Sequence, residues 1–497
     1  MRSRVVLLSL VLFVALSVAW VSAAGQQQRT GTQPVQLVHY VFNAGDVSDR
    51  PSVYSLVNER LSEQIGATVD YVDIPGAEYD QRMQVVINSG ERYDVTFTSS
   101  WRNNYYVNVG RGAFADLTDL LPRLAPTIWN TQADYIDATR IRGRIHAVLN
   151  EQIFARSRMT VLPYEYTDRA GIDPDEYSAR ALSGTEDLYD LDLELRRRYS
   201  EVTGPNAVYV ALGPDIAWDK HFIVPVIDGR VPGAIYGEDD SLRVVNQFET
   251  PAFLELLEYT NKLMELDLLR NTDLVRDPEG FRRYRAAGEI IQPIAAGGTF
   301  KPGGQEEEAI RWEYLYYQVQ MTPATLTTGG IIATMLAVNS QSRNIEKAVE
   351  YLEAVFSDDS IYMLFHFGQE GKHYVIEDGF LRPIGGTGYS RGVTWSMGSQ
   401  FQQVPSVGQP ADVWEQTREL NASARKSPDL GFSFDPTNVT AEIGQCRSVF
   451  DEYMPGLMDG TRPLADYREM LAKYEAAGSA RIMAELQRQL DAWKASR

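Results

Sequence analysis

The chain has 497 residues, 44% hydrophobic and 23% charged, enough for a substantial core and long enough for two or more domains. A formal charge of −20 repels phosphate backbones and anionic lipid and argues against nucleic-acid binding. The lone cysteine, Cys446, rules out an internal disulfide framework and reads as a small buried apolar residue.

The first elements concern export. Arg2 and Arg4 form a basic head, Val5 to Val21 is apolar except for Ser9 and Ser17, and Val21-Ser22-Ala23 offers small residues for cleavage after Ala23 or Ala24. Residues 1–23 therefore read as a signal peptide and 24–33 as a Gln-rich linker. The alternative is a retained anchor, because the apolar run sits at the lower limit of a membrane span. Gly25-Gln26 stands where a lipoprotein carries its acylated cysteine, so the expected product is soluble and periplasmic. After Val21 no apolar run approaches the length of a membrane span.

From Leu37 the pattern alternates strand and helix. Leu37–Phe42, Thr68–Val72 and Tyr93–Phe97 read as strands, separated by helices from Pro51 to Gly66 and Ala77 to Asn88. That order predicts a parallel, doubly wound sheet with ligands beyond the strands' carboxyl ends, at Asn43–Asp46 and Thr98–Asn104. Residues 141–152 predict a tight turn at Gly143 followed by a strand. Further on, a helix capped at Thr185 should cover 185–199, with another at Phe253–Leu266. Ile331–Val338 reads as a strand leading into a helix with Ile345, Ala348, Val349, Leu352 and Phe356 inward. Two tail helices are expected, Leu464–Ala476 and Ser479–Trp493, broken at Gly478.

Most catalytic constellations fail on their context. Gly388-Tyr389-Ser390-Arg391-Gly392 matches a nucleophile elbow, yet glycines and a proline precede it instead of a buried strand, and all five histidines come earlier in the chain. The histidines show no metal-ligand spacing, and no phosphate-binding glycine loop occurs. No catalytic residue, metal or cofactor is therefore assigned. Glu151 and Asp94 are possible members of a carboxylate pair, but Asp94 opens a strand, where a structural role is commoner. Aromatic residues carry a better signal, since sugars stack their CH faces on Trp and Tyr while Asn, Gln, Asp and Thr meet their hydroxyls. Trp101, with Asn103, Asn104, Tyr105 and Tyr106, follows the third strand directly, and Trp218, Trp312 and Trp395 lie in or beside loop-like segments.

These features together resemble the bacterial extracellular solute-binding proteins of ABC importers, family 1, the group that includes maltose-binding protein. The opening order, with Gly66-Ala67-Thr68-Val69 and Tyr93-Asp94-Val95-Thr96-Phe97, is similar to the group's. So are Gly143–Val148 (with Leu149 replacing a proline), Gly288-Glu289-Ile290, and Ala337–Ser340 followed by Asn344–Ala348. Gly368–Val375, Gly431–Pro436, Glu452-Tyr453 and Pro455-Gly456-Leu457 resemble a subgroup with a distinctive C-terminal domain, common among lipoprotein binding proteins. The missing acylated cysteine departs from that subgroup.

The resemblance implies an α/β fold of two lobes, each a doubly wound sheet flanked by helices, with a helical C-terminal extension. Lobe one would be 34–152 plus 325–383 and lobe two 153–320 plus 388–497, including a helical region at about 430–497. Crossings would fall near 150–156, 318–326 and 380–390. It implies a monomer that closes by hinge motion around a carbohydrate and hands it to ABC permease transmembrane subunits. Carried over by position, the ligand-binding residues are Asn43, Asp46, Ser99, Ser100, Trp101, Gln152 and, in lobe two, Trp395; Asn104 is added from its place beside Trp101 and Trp218 from composition. Lys372 and His373 are read as fixing a turn. A peptide or other polar solute, a secreted glycoside hydrolase and a sensor without a transporter stay open as alternatives.

Overall fold

The computed structural model describes residues 33–496 apart from 205–206, 208, 210–211, 270–294 and 305–315. The expected signal peptide, most of the linker, Gly288-Glu289-Ile290 and Trp312 lie outside the described residues.

The opening alternation is present. Strand β1 (Val35–Asn43) is followed by helix α1 (Arg50–Ile65), β2 (Ala67–Pro75), α2 (Tyr79–Ser89) and β3 (Val95–Thr98). Proline in its first turn starts α1, Val53, Val57 and Leu61 bury its inner stripe, and Gly66 ends it in the left-handed conformation. After β3 come the short helix α3 (Tyr105–Gly110) and the edge strand β4 (Val148–Leu149). Asp94 is fully structural: its carboxylate accepts the Val38 amide at 2.8 Å and the Ser342 hydroxyl, tying β1 and β3 to the loop after a later strand.

Further along lie β5 (Arg158–Pro163), α4 (Leu188–Thr203), α5 (Pro214–Lys220), α6 (Pro251–Glu265), β6 (Ala295–Thr299), β7 (Tyr316–Gln320) and β8 (Met335–Val338). The first sheet runs in the order β2-β1-β3-β8-β4. β1 and β3 are parallel, but β8 lies antiparallel between β3 and β4, so the sheet is mixed where a parallel one was expected. The second sheet, β6-β5-β7, is antiparallel, with Val319 opposite Thr160 and Ala295 opposite Val161.

Two local expectations shift. Ile331–Val338 is not all strand: Thr328–Ile331 form a helical turn in which the Thr327 hydroxyl accepts the Gly330 amide, and extended backbone resumes only at Met335. The helix expected from Thr185 starts at Leu188, because the Asp187 carboxylate accepts the Tyr189 and Asp190 amides, while Thr185 bonds the Ser183 hydroxyl instead.

Helices α7 (Ile345–Ser357) and α8 (Asp359–Phe367) follow β8, and α9 (Val413–Ser423) precedes a C-terminal group of α10 (Thr440–Asp459), α11 (Asp466–Ala476) and α12 (Ser479–Ala495). α11 and α12 were expected individually; α10 falls within the helical region expected at about 430–497, although Gly444, Pro455 and Gly456 interrupt its pattern. Ile443, Tyr453, Tyr474, Ile482 and Leu486 of this group share one core with Trp218, Phe248 and Phe253. Cys446 is buried in it, as expected.

The chain stretches expected as crossings lie side by side. Arg156 pairs with Thr325, and Thr325–Leu326 run parallel to Arg425–Lys426. Arg425–Lys426 thus occupies the place expected for 380–390, of which 380–383 instead forms a hairpin with 374–377. Asn421 on α9 binds the first of these stretches: its Oδ1 accepts the Phe154 and Ala155 amides and its Nδ2 donates to the Gln152 carbonyl.

Candidate functional site

A cavity of about 870 Å³ opens beyond the carboxyl end of β3. Its walls come from the loop after β3, the stretch 152–158, helix α5 with the loop behind it, and Thr325–Thr334. Position follows from topology, since strand ends at a crossover leave a crevice that no side chain fills.

Trp101 dominates one wall. The ring is 45% exposed, although residues of this size are normally covered. It is nevertheless held in place. The indole N–H donates to the Ala333 carbonyl at 2.7 Å, and the ring lies 6.0 Å from Trp395, 6.1 Å from Phe42 and 6.2 Å from Phe97. The Arg102 guanidinium sits 5.5 Å over the ring and is anchored by Asp80 at 2.7 Å. A rigid exposed aromatic face is the arrangement that stacks an apolar ligand surface with little ordering cost.

Of the nine expected residues, the cavity lining brings together Ser100, Trp101, Gln152, Trp218 and Trp395. Gln152 reaches it with its amide bonded to the Thr334 hydroxyl at 2.9 Å. Trp395, expected in lobe two, packs instead on the first sheet, 5.5 Å from Phe42, in a single turn over Thr394–Ser396. Its neighbours return there too, because Ser399 bridges Glu151 and the Tyr362 hydroxyl donates to the Thr394 carbonyl. Trp218 was expected in a loop-like segment but lies on α5, 2% exposed, stacked on Phe253 at 5.7 Å. Burial makes it core that touches the cavity floor, with its indole N–H lacking an acceptor among the described residues.

The other four serve their own turns. Asn43 donates to the Gly45 carbonyl at 2.9 Å, and Asp46 accepts the Ser48 amide at 2.9 Å. Ser99 accepts the Trp101 and Arg102 amides and so aims the Trp101 loop. Asn104 caps α3 through the Val107 amide at 3.0 Å. Neither Glu151 nor Asp94 lines the cavity.

Composition alone did not find the charged wall opposite. Arg158 binds Asp219 through Nε and Asp215 at 3.4 Å, with Arg156 alongside. Burial pushes the Asp219 carboxyl above its usual value, against the pull of Arg158. The Arg-Ser-Arg alternation at 156–158 on a strand was the available signal, because it puts both guanidinia on one face. Elsewhere, Lys372 and His373 both bind Asp49, the latter at 2.9 Å, and fix a turn. Ser390 is held through its own amide to the Asp46 carbonyl, in a loop rather than an elbow.

Residues 428–495 match the domain family described as domain of unknown function DUF3502. The chain is 24% identical over 486 residues, 93% of this chain and 91% of the other, to a carbohydrate ABC transporter substrate-binding protein of Streptococcus pneumoniae. Its fold is similar to the N-glycan transport solute-binding protein NgtS of S. pneumoniae in complex with Man5GlcNAc. There the TM-score is 0.70 and the identity 21%, covering 93% of this chain and 99% of that one. The chain shares the two-lobed fold of these solute-binding proteins. A solute-binding protein from Bifidobacterium longum infantis, described as binding HMO and associated with an ABC transporter, gives a TM-score of 0.64 at 12% identity, covering 93% and 99%. In this fold the Trp101 cavity lies beyond the carboxyl end of β3.

Proposed function

We propose that the protein is the exported binding component of an ABC importer and captures an oligosaccharide in the Trp101 cavity. The observation that carries the reading is the fixed, exposed Trp101 face beside Trp395, set in a crevice of about 870 Å³ that also presents amide, hydroxyl and charged groups. A sugar ring offers the matching pair of surfaces, apolar faces and a polar rim. The carbohydrate named for the S. pneumoniae relative and the N-glycan named for NgtS favour the same class over peptide.

In this reading the lobes are 34–152 with 325–383 and 153–320 with 388–497, except that a third crossing at 425–426 leaves 388–424 with the first lobe. The stretches at 152–156, 325–326 and 425–426, stitched by Asn421, are the pivot. Closure brings the charged wall onto a sugar already resting on Trp101, so the ligand favours the shut form by its extra contacts. Residues 1–23 direct export into a periplasm and are removed, and the monomer then meets two transmembrane permease subunits. Thermal-shift screening of the protein against glycan and peptide libraries tests the reading, since a ligand bound only by the folded state raises its melting temperature. Shifts confined to peptides, or glycan breakdown during incubation, would overturn it.

A further inference from the structure

One cationic side chain of the cavity lacks an ion-pair partner among the described residues. Five cationic side chains against three carboxylates line it, in a chain whose net charge is −20. Arg102 is paired with Asp80, Arg158 with Asp215 and Asp219, and Arg230 with Asp228. Among the described residues Arg156 has no carboxylate at ion-pair distance. Asp215 and Asp219 act on it only through space, while each contributes an oxygen to Arg158.

Its root is rigid. The Arg156 amide and carbonyl both bond Thr325 at 2.8 Å. Its side chain lines the cavity beside Gly330, where a methyl would stand 3.6 Å from the guanidinium Nε and 2.8 Å from the Phe154 carbonyl oxygen. Burial and the adjacent Arg158 hold Arg156 below the usual arginine range. A partly desolvated cation without a partner is costly to the free protein, and an arriving anion removes that cost.

Resting on the glycan reading, the geometry points to an anionic substituent on the captured oligosaccharide, a carboxylate, sulfate or phosphate, seated on Arg156. The planar fork can meet two oxygens of any of these groups, whereas a hydroxyl offers one. The surrounding acidic surface repels anions at long range, so the preference comes from this local contact and weakens only modestly with salt.

The test is an array of neutral, carboxylated, sulfated and phosphorylated oligosaccharides probed with the wild-type chain, followed by calorimetry on the strongest binder and its neutral counterpart. Arg156→Gln and Arg156→Lys are run alongside, with thermal unfolding to verify folding. The expected result is an acidic strongest binder whose affinity falls on the order of ten- to hundredfold in Arg156→Gln, with partial recovery in Arg156→Lys and little change for the neutral counterpart. Should Arg156→Gln not fold, the wild-type comparison of acidic and neutral partners decides alone. A neutral strongest binder, or an acid-to-neutral ratio unchanged by the variant, overturns the anion assignment and leaves glycan capture standing. Silence across the whole array overturns both. The carboxylated, sulfated and phosphorylated arms identify which anion is taken.

Discussion

Arg391 pairs with Asp73 at 2.9 Å across 318 residues of sequence, with side-chain exposures of 0% and 6%. The same guanidinium donates to the Tyr54 hydroxyl and the Phe42 carbonyl and lies 4.4 Å over the Phe365 ring. The glycine-rich stretch that mimics a nucleophile elbow is therefore a plug, closing the end of the first sheet with one buried cation.

Removing one partner leaves the other charge stranded, so Arg391→Met should cost about 3–5 kcal/mol in urea unfolding. Replacing Asp73 by leucine in the same chain should recover much of that loss. The loop's seating is checked independently by Gly45→Ala, because a methyl there would stand 1.8 Å from the Ser390 carbonyl oxygen. That variant should lose about 1–3 kcal/mol by overpacking. Wild-type urea midpoints in Arg391→Met would refute the plug.

Trp101 and Trp218 should separate binding from stability. Trp101→Ala removes a half-exposed ring and its bond to the Ala333 carbonyl and should cost only about 1–2 kcal/mol in unfolding, while glycan affinity measured by calorimetry falls by roughly 1–3 kcal/mol. Trp218→Ala empties a core site and should destabilise by about 3–5 kcal/mol. Equal effects of the two on affinity, with no difference in stability, would contradict the placement of Trp218 in the core.

Two histidines should make the fold acid-sensitive. His39 and His366 are buried and pushed down to about 3, chiefly by burial with Arg391 also opposing protonation. The unfolded chain binds these protons near 6.5 and the native one does not, so stability is complete above 6.5 and falls as pH drops. The slope is about 1.4 kcal/mol per pH unit for each histidine. His39→Asn should remove one such contribution when unfolding is followed from pH 7 to 4.

Asp429 works in the opposite sense. Burial raises its carboxyl to about 6, against the Ser427 hydroxyl that bonds it. The native state holds this proton more tightly than the unfolded one, so its contribution is present below pH 4 and is lost as pH rises through 6. Asp429→Asn should therefore gain up to about 3 kcal/mol at pH 7 and nothing at pH 3.5. An unchanged urea midpoint at pH 7 would refute this.

Periodicity was enough for the opening strands and helices, because Val53, Val57 and Leu61 or the run Leu37–Phe42 report burial directly. Strand direction was not legible at Met335–Val338, since a strand covered on both faces looks the same in either orientation. Trp101 was found by its place after β3. Asn43, Asp46, Ser99 and Asn104 share that place, yet short polar side chains satisfy neighbouring backbone as readily as a ligand. Only the folded chain shows which they do. Arg158 and the acids of α5 meet through tertiary packing between distant stretches, which no local pattern records.

One bond at Trp101 bears on recognition. Its single donor is already engaged by the Ala333 carbonyl, so the indole offers a visitor only its π surface. Epimers that differ in which hydroxyl stands axial, but keep a flat hydrocarbon side, should rest there about equally well. On the proposed reading, stereochemical selection then resides across the crevice, and this half of it is a tolerant shelf.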